Sequence, residues 1–193
     1  MNIEEDEENN ILYGLQFTSS NRLNFYHEFD SGVNIPDYNS NIQLDFDPHT
    51  NITITRNSET QQVLYYKNGD LVDSTYYSNN ATGGENSNLY IGSRPNPQNL
   101  YRGTLDNLQI WNVVLTNEEI QSFITCPPLG SEEGLVGLWN FNEGSGDTVY
   151  DLSGNGNYGL INGADFSNDV SESFNGCIDA NALNYDENAL CDN

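Results

Sequence analysis

The run Glu4-Glu5-Asp6-Glu7-Glu8 places carboxylates at alternate positions, Glu4, Asp6 and Glu8. On a buried strand that spacing could set an acid and a base against one glycosidic bond. Such chemistry needs surroundings that push the two pKa values apart. Here the intervening residues are acidic as well, so nothing would bury the strand, and residues 1–10 read as an acidic, disordered tail. No nucleophile motif, glycine-rich phosphate loop or metal-type His pair occurs, and His27 and His49 are isolated.

A second acidic group, Glu143, Asp147 and Asp151, lies in the Gly- and Asn-rich stretch 142–157. Hard oxygen ligands with carbonyls freed by glycine suit Ca²⁺. The Asp-x-Asp-x-Asp-Gly order of a Ca²⁺ loop is missing, and Asn and Gly equally serve turns of positive φ. The turn is the preferred reading and Ca²⁺ the second. Trp111 and Trp139 alternate with core-type residues and read as packing groups. Tyr76, Tyr77 and Tyr101 lie beside loops and are the candidates for an exposed platform on which a sugar ring could stack.

Charge narrows the partners. Five Lys+Arg stand against 29 Asp+Glu, a formal charge of −24. Nucleic acid and anionic membrane surfaces are repelled at long range, whereas cations, basic proteins and neutral polymers such as glycans stay open. No stretch approaches the ~18–20 apolar residues of a membrane span, and the N-terminus lacks the pattern of a signal peptide. Three Cys in a Lys-poor, Asn- and Tyr-rich chain suggest an oxidising, extracellular or cell-surface setting. The odd number suggests a partner elsewhere.

The elements that would position these residues are mostly strands. Residues 11–17 and 22–26 alternate as a pair around "TSSN"; 41–46 and 51–56 follow. Residues 61–67 and 71–77 flank Asn68-Gly69, a strong hairpin signal. Residues 89–93 and a longer run, 103–112, complete the set. The exception is a short helix near 116–124, where Thr116 and Glu119 form a capping box and Ile120, Phe123 and Ile124 make one apolar face. Two further strands, 135–141 and 159–166, are expected to be joined by a long turn and to pair onto the sandwich built by 11–112. Many short strands with polar turns mean an all-β antiparallel sandwich.

The stretch from "LYYKNGDLVDS" through "NLYIGSRPNPQNLYRGTLDNLQIWNVVLTNEEI" resembles the second half of a laminin-G-like, concanavalin-A-like jelly-roll domain. The matching parts are Tyr66 to Val72, Leu89 to Gly92, Tyr101 to Asn112 and Leu115 to Ile120. "GLVGLWNFNEGSGDTVYDLSGNGNYG" is similar to a phrase found in secreted bacterial proteins of this type. "GCIDANALNYDENALCDN", 176–193, resembles the start of a short Cys repeat of surface proteins.

The resemblance implies an incomplete jelly roll whose first strands are missing. Residues 11–170 would form the sandwich, including appended strands within 134–166, and 171–193 a truncated Cys repeat. It implies a structural Ca²⁺ as the candidate ion, at Asp106 in the final strand, where a carboxylate among apolar residues is costly unless paired or ligating. A Cys126–Cys177 bridge would pin the C-terminal strands, closing a loop of about 50 residues; the alternative pairs Cys177 with Cys191. The implied role is a non-catalytic binding or adhesion module of a secreted or surface protein, recognising glycan or a surface protein. A spacer in a large adhesin and an accessory domain of a polysaccharide-degrading enzyme are the competing readings.

Overall fold

The structure, a computed structural model, describes residues 2–4, 13–17, 22–27, 38–43, 49–77, 88–93, 100–167 and 191. Its strands are β1 Asn2–Glu4, β2 Tyr13–Phe17, β3 Arg22–His27, β4 Tyr38–Gln43, β5 Ile52–Asn57, β6 Gln62–Lys67, β7 Asp70–Tyr76, β8 Asn88–Tyr90 and β9 Leu108–Trp111. The helix α1 Asn117–Thr125 follows, then β10 Leu135–Trp139, β11 Thr148–Val149 and β12 Gly159–Leu160. The architecture is the all-β, antiparallel one that the patterning predicts, with a single short helix among the described residues. The chain divides into two compact units, Met1–Gly103 and Thr104–Asn193, a division that falls inside the stretch read as one sandwich over 11–170.

The first unit holds a five-stranded sheet, β4-β3-β2-β1-β8, and a three-stranded sheet, β5-β6-β7. Alternate residues of both meet in one core. Leu23 and Phe25 of β3 pack with Val63 and Tyr65 of β6 and with Tyr77, and Leu15, Phe17, Ile52 and Ile54 border them. The period of two turns these side chains inward together, which is why the alternation was readable. The hairpin turn is as expected: Asn68 at φ 52° and Gly69 at φ 80° supply the two left-handed positions that a two-residue turn requires. Asn68 also exchanges hydrogen bonds with Asn51, its N–H donating to the Asn51 carbonyl and its Oδ1 accepting the Asn51 N–H, both at 2.9 Å.

Residues 1–10 are not wholly a tail. β1 pairs antiparallel with β2 on one side and β8 on the other, so Asn2–Glu4 joins the edge strand β8 to the rest of the sheet. Acidic composition misled here because pairing on both sides satisfies the backbone whatever the side chains do. Residues 5–10 lie outside the described residues.

In the second unit β9 pairs antiparallel with β10, so the first of the two late strands meets part of the run 103–112, but the two form a two-stranded sheet of their own. The run 103–112 is cut to Leu108–Trp111 because Asn107 takes φ 49°, a left-handed conformation that ends extended pairing. β10 stops at Trp139, and Phe141 follows at φ 54°. The second late strand does not return to β10. It is only Gly159–Leu160, and it pairs with β11, two residues inside what the sequence reads as turn.

α1 forms as its capping box dictates. The Thr116 hydroxyl accepts the Glu119 N–H at 3.2 Å and Glu119 Oε2 accepts the Thr116 N–H at 2.7 Å. Hydrogen bonds to the carboxylate from the Thr116 N–H, and then from its side chain, hold the Glu119 carboxyl below its ordinary pKa. Ile120 is buried and Phe123 stacks on Trp111, ring centroids 5.0 Å apart. The expected bridge is corrected: Cys126 pairs with Cys191, Cα atoms 5.4 Å apart, not with Cys177. That separation is within reach of a disulfide, and Cys177 lies outside the described residues.

Candidate functional site

The tyrosine platform begins with strand parity. β7 reads Asp-Leu-Val-Asp-Ser-Thr-Tyr before Tyr77, and neighbours on a strand point to opposite faces. Tyr76 turns outward and is 65% exposed, whereas Tyr77 turns into the core at 3%. Tyr77 is fixed there: its hydroxyl donates to the Asn57 carbonyl at 3.0 Å and the Arg56 guanidinium lies 4.5 Å from its ring centroid. Tyr77 is therefore removed from the expected platform.

Tyr76 does not hang free. The register Asn57↔Gln62↔Tyr76 sets the three side by side across β5, β6 and β7 on the outer face. Gln62 Nε2 donates to the Tyr76 hydroxyl at 3.2 Å. Asn57 Oδ1 accepts the N–H groups of Glu59 and Thr60 at 2.9 and 3.0 Å, which fixes the turn beside the row. An aromatic ring held by one edge with its face open, next to an amide, can stack a pyranose ring and exchange hydrogen bonds with its hydroxyls. Gln62 was missed by the sequence reading; the period-two register opposite Tyr76 was the signal that could have found it.

Tyr101 is a different kind of residue. It is 39% exposed, its ring lies 6.3 Å from Phe17, and its N–H donates to the Gly92 carbonyl at 2.7 Å. Its hydroxyl folds over Gly103, where an added Cβ would meet it at 2.7 Å. It anchors its loop and shows part of its ring.

The Asp151 carboxylate organises the glycine-rich stretch of the second unit. Oδ1 accepts the N–H groups of Leu138 at 3.0 Å and Ser153 at 2.9 Å, and Oδ2 accepts that of Asn157 at 2.9 Å. Asn155 Nδ2 donates to the carbonyls of Leu135 and Val136, and Asn157 Nδ2 to that of Val136. Trp139 Nε1 donates to the Asn157 carbonyl at 2.9 Å. The side chains of 151–157 thus stitch this loop along β10. Asp151 is 5% exposed. Burial pushes its pKa up, but hydrogen bonds from Ser153, Leu138 and Asn157 outweigh it and hold the carboxyl below the ordinary range.

Two of the carboxylates singled out for Ca²⁺, Asp151 and Glu143, hold backbone N–H groups. Both Asp151 oxygens accept backbone N–H groups. Glu143 Oε1 accepts the Tyr150 N–H at 2.8 Å. Asp106 is exposed and precedes β9 by two residues, so it does not share a buried strand face. Among the described residues no three acidic, His or Cys side chains converge on one point.

The second unit also carries an aromatic pair that the sequence reading did not single out. Tyr150 and Tyr158 flank the β11–β12 ribbon edge to face, centroids 5.5 Å apart and planes at 76°.

Comparison with known proteins places residues 2–121 in a family. A family model described as concanavalin A-like lectin/glucanases superfamily matches residues 2–121. No curated protein matches the chain. Among solved structures, a proposed carbohydrate-binding protein from Bacteroides ovatus superposes with a TM-score of 0.59 at 15% identity, over 78% of this chain and 45% of its own. An S-layer domain-containing protein from Clostridium thermocellum gives 0.35 at 19% identity, over 63% of this chain and 60% of its own, a likeness too slight for argument. The chain thus spans less than two thirds of either protein's length.

Proposed function

The chain belongs to the concanavalin A-like lectin/glucanase superfamily, and from that membership we propose that it is a non-catalytic module that binds neutral glycan for a secreted or cell-surface protein. The observation that carries the reading is Tyr76, a 65%-exposed ring on the outer face of β7 whose hydroxyl is held by Gln62. Stacking on an open ring face is tolerant of which sugar is bound, and the amide row Asn57–Gln62 adds the polar contacts that orient it. The charge of −24 favours neutral over anionic polysaccharide.

Two observations support the wider setting. The Cys126–Cys191 bridge belongs to an oxidising compartment. The fold likeness to the Bacteroides protein is compatible with a carbohydrate-binding role. Binding without turnover is part of the proposal. A reducing-end assay on each bound polysaccharide tests it: the expected result is saturable binding with no new reducing ends, and release of reducing sugar would contradict it.

A further inference from the structure

A second surface asks for a different partner. β11 and β12 form a two-stranded ribbon, with Val149 buried at 7% on one face. On the other face Tyr150 is 52% exposed, Tyr158 62% and Leu160 84%. Thr148 sits opposite Leu160 in the register. Tyr150 and Tyr158, one step beyond on each strand, meet edge to face at 5.5 Å. Two open rings and an almost bare leucine on so small a ribbon form an apolar face exposed among the described residues.

The charge around it is one-signed. All five Lys+Arg precede residue 104, so residues 104–193 hold none, against about half of the 29 Asp+Glu. Two acidic residues hold the ribbon's backbone and its Thr148 hydroxyl. Glu143 Oε1 accepts the N–H of Tyr150 itself, and Asp147 accepts the hydroxyl of Thr148 and, through its carbonyl, the N–H of Ile161.

We infer that the exposed face of this ribbon docks a basic polypeptide segment, with Lys or Arg side chains laid across Tyr150, Tyr158 and Leu160. A Lys or Arg side chain has the matching parts: an aliphatic stem to cover Leu160 and a cation to sit over a tyrosine face in the negative field of a unit that carries no Lys or Arg. A sugar fits less well. The neighbouring amides of Asn155 and Asn157 are turned onto the carbonyls of Leu135 and Val136, so they are not offered to hydroxyls. A second copy is disfavoured because each copy presents the same cation-free acidic surface.

The test uses the full oxidised chain and labelled octaarginine and octalysine, with a neutral Gly/Ser octapeptide as control, at about 0.15 M salt. Saturable binding of the basic peptides alone is expected. The double substitution Tyr150→Ala with Tyr158→Ala weakens it about tenfold, Tyr150→Phe with Tyr158→Phe retains it, and Glu143→Gln weakens it while keeping an acceptor for the Tyr150 N–H. Unchanged Trp emission shows that each variant is folded. Equal binding by the alanine variant would overturn the inference, since diffuse charge would then suffice. So would a neutral oligosaccharide whose binding the same variant abolishes, or a dimer in sedimentation that it dissolves.

Discussion

Asp151 Oδ1 accepts the backbone N–H of Leu138, thirteen residues earlier, at 3.0 Å. This bond ties the glycine-rich loop to β10 at the centre of the second unit. The same carboxylate holds Ser153 and Asn157, so one side chain fixes both ends of a turn that backbone pairing alone does not hold. A residue of the loop read first as a turn and second as a Ca²⁺ site thus holds that turn together. Asp151→Asn keeps the shape but removes the charge and turns an NH₂ group toward an N–H donor. It should destabilise the second unit by about 2–3 kcal/mol. Both Trp residues, Trp111 and Trp139, lie in this unit, so urea unfolding followed by their emission reads the loss.

The depressed pKa of Asp151 gives a pH signature. A carboxyl whose folded pKa lies below its unfolded value near ~4 contributes its full stability above that value. The contribution is lost as pH falls through the folded pKa. Glu132 adds in the same sense. Burial raises its pKa, but the N–H groups of Leu129 and Gly130, at 2.7 and 2.9 Å, help to bring it below normal. The urea midpoint of the native chain should therefore fall as the pH drops below about 4, and less steeply in Asp151→Asn. Parallel curves would show that Asp151 is not the group responsible.

The disulfide prediction separates the cysteines. Reduction, or Cys126→Ser, should destabilise the second unit by about 4 kcal/mol on the chain-entropy estimate for a loop of this length. Cys177→Ser should leave the cross-link in place. Peptide mapping of the oxidised chain should recover Cys126 joined to Cys191; recovery of a Cys126–Cys177 peptide would refute the pairing.

Adjacent tyrosines should behave oppositely. Tyr77→Ala empties a core site and should cost the first unit about 3–4 kcal/mol. Tyr76→Ala changes an exposed face and should stay within about 0.5 kcal/mol of the native stability. Hydrogen exchange at the Val63 and Tyr65 amides, in the middle of β6, distinguishes the two.

The elements with strong local signals were legible. Asn68-Gly69 fixed its hairpin because only residues tolerant of positive φ can make that turn, and Thr116 with Glu119 fixed the start of α1. What depended on partners far along the chain was not. β1 exists by pairing with β2 and β8, and β11 by pairing with β12, in segments whose composition suggests neither. Asn107 broke the expected long strand because a side chain tolerant of left-handed backbone gives no sign of when it adopts it. For the site, strand alternation sets Tyr76 and Tyr77 on opposite faces, so the expected platform could not hold both. Which of them faced out could not be read, because "LVDSTYY" carries apolar residues at both parities, and Leu71 and Val72 are both exposed.

The glycan reading is tested most directly by calorimetric titration of the oxidised full chain with soluble neutral polysaccharides, beside Tyr76→Ala. Saturable binding by the native chain that weakens about tenfold or more in the folded Tyr76→Ala variant is the predicted result. No binding by the native chain, or equal binding by the variant, would contradict the assignment.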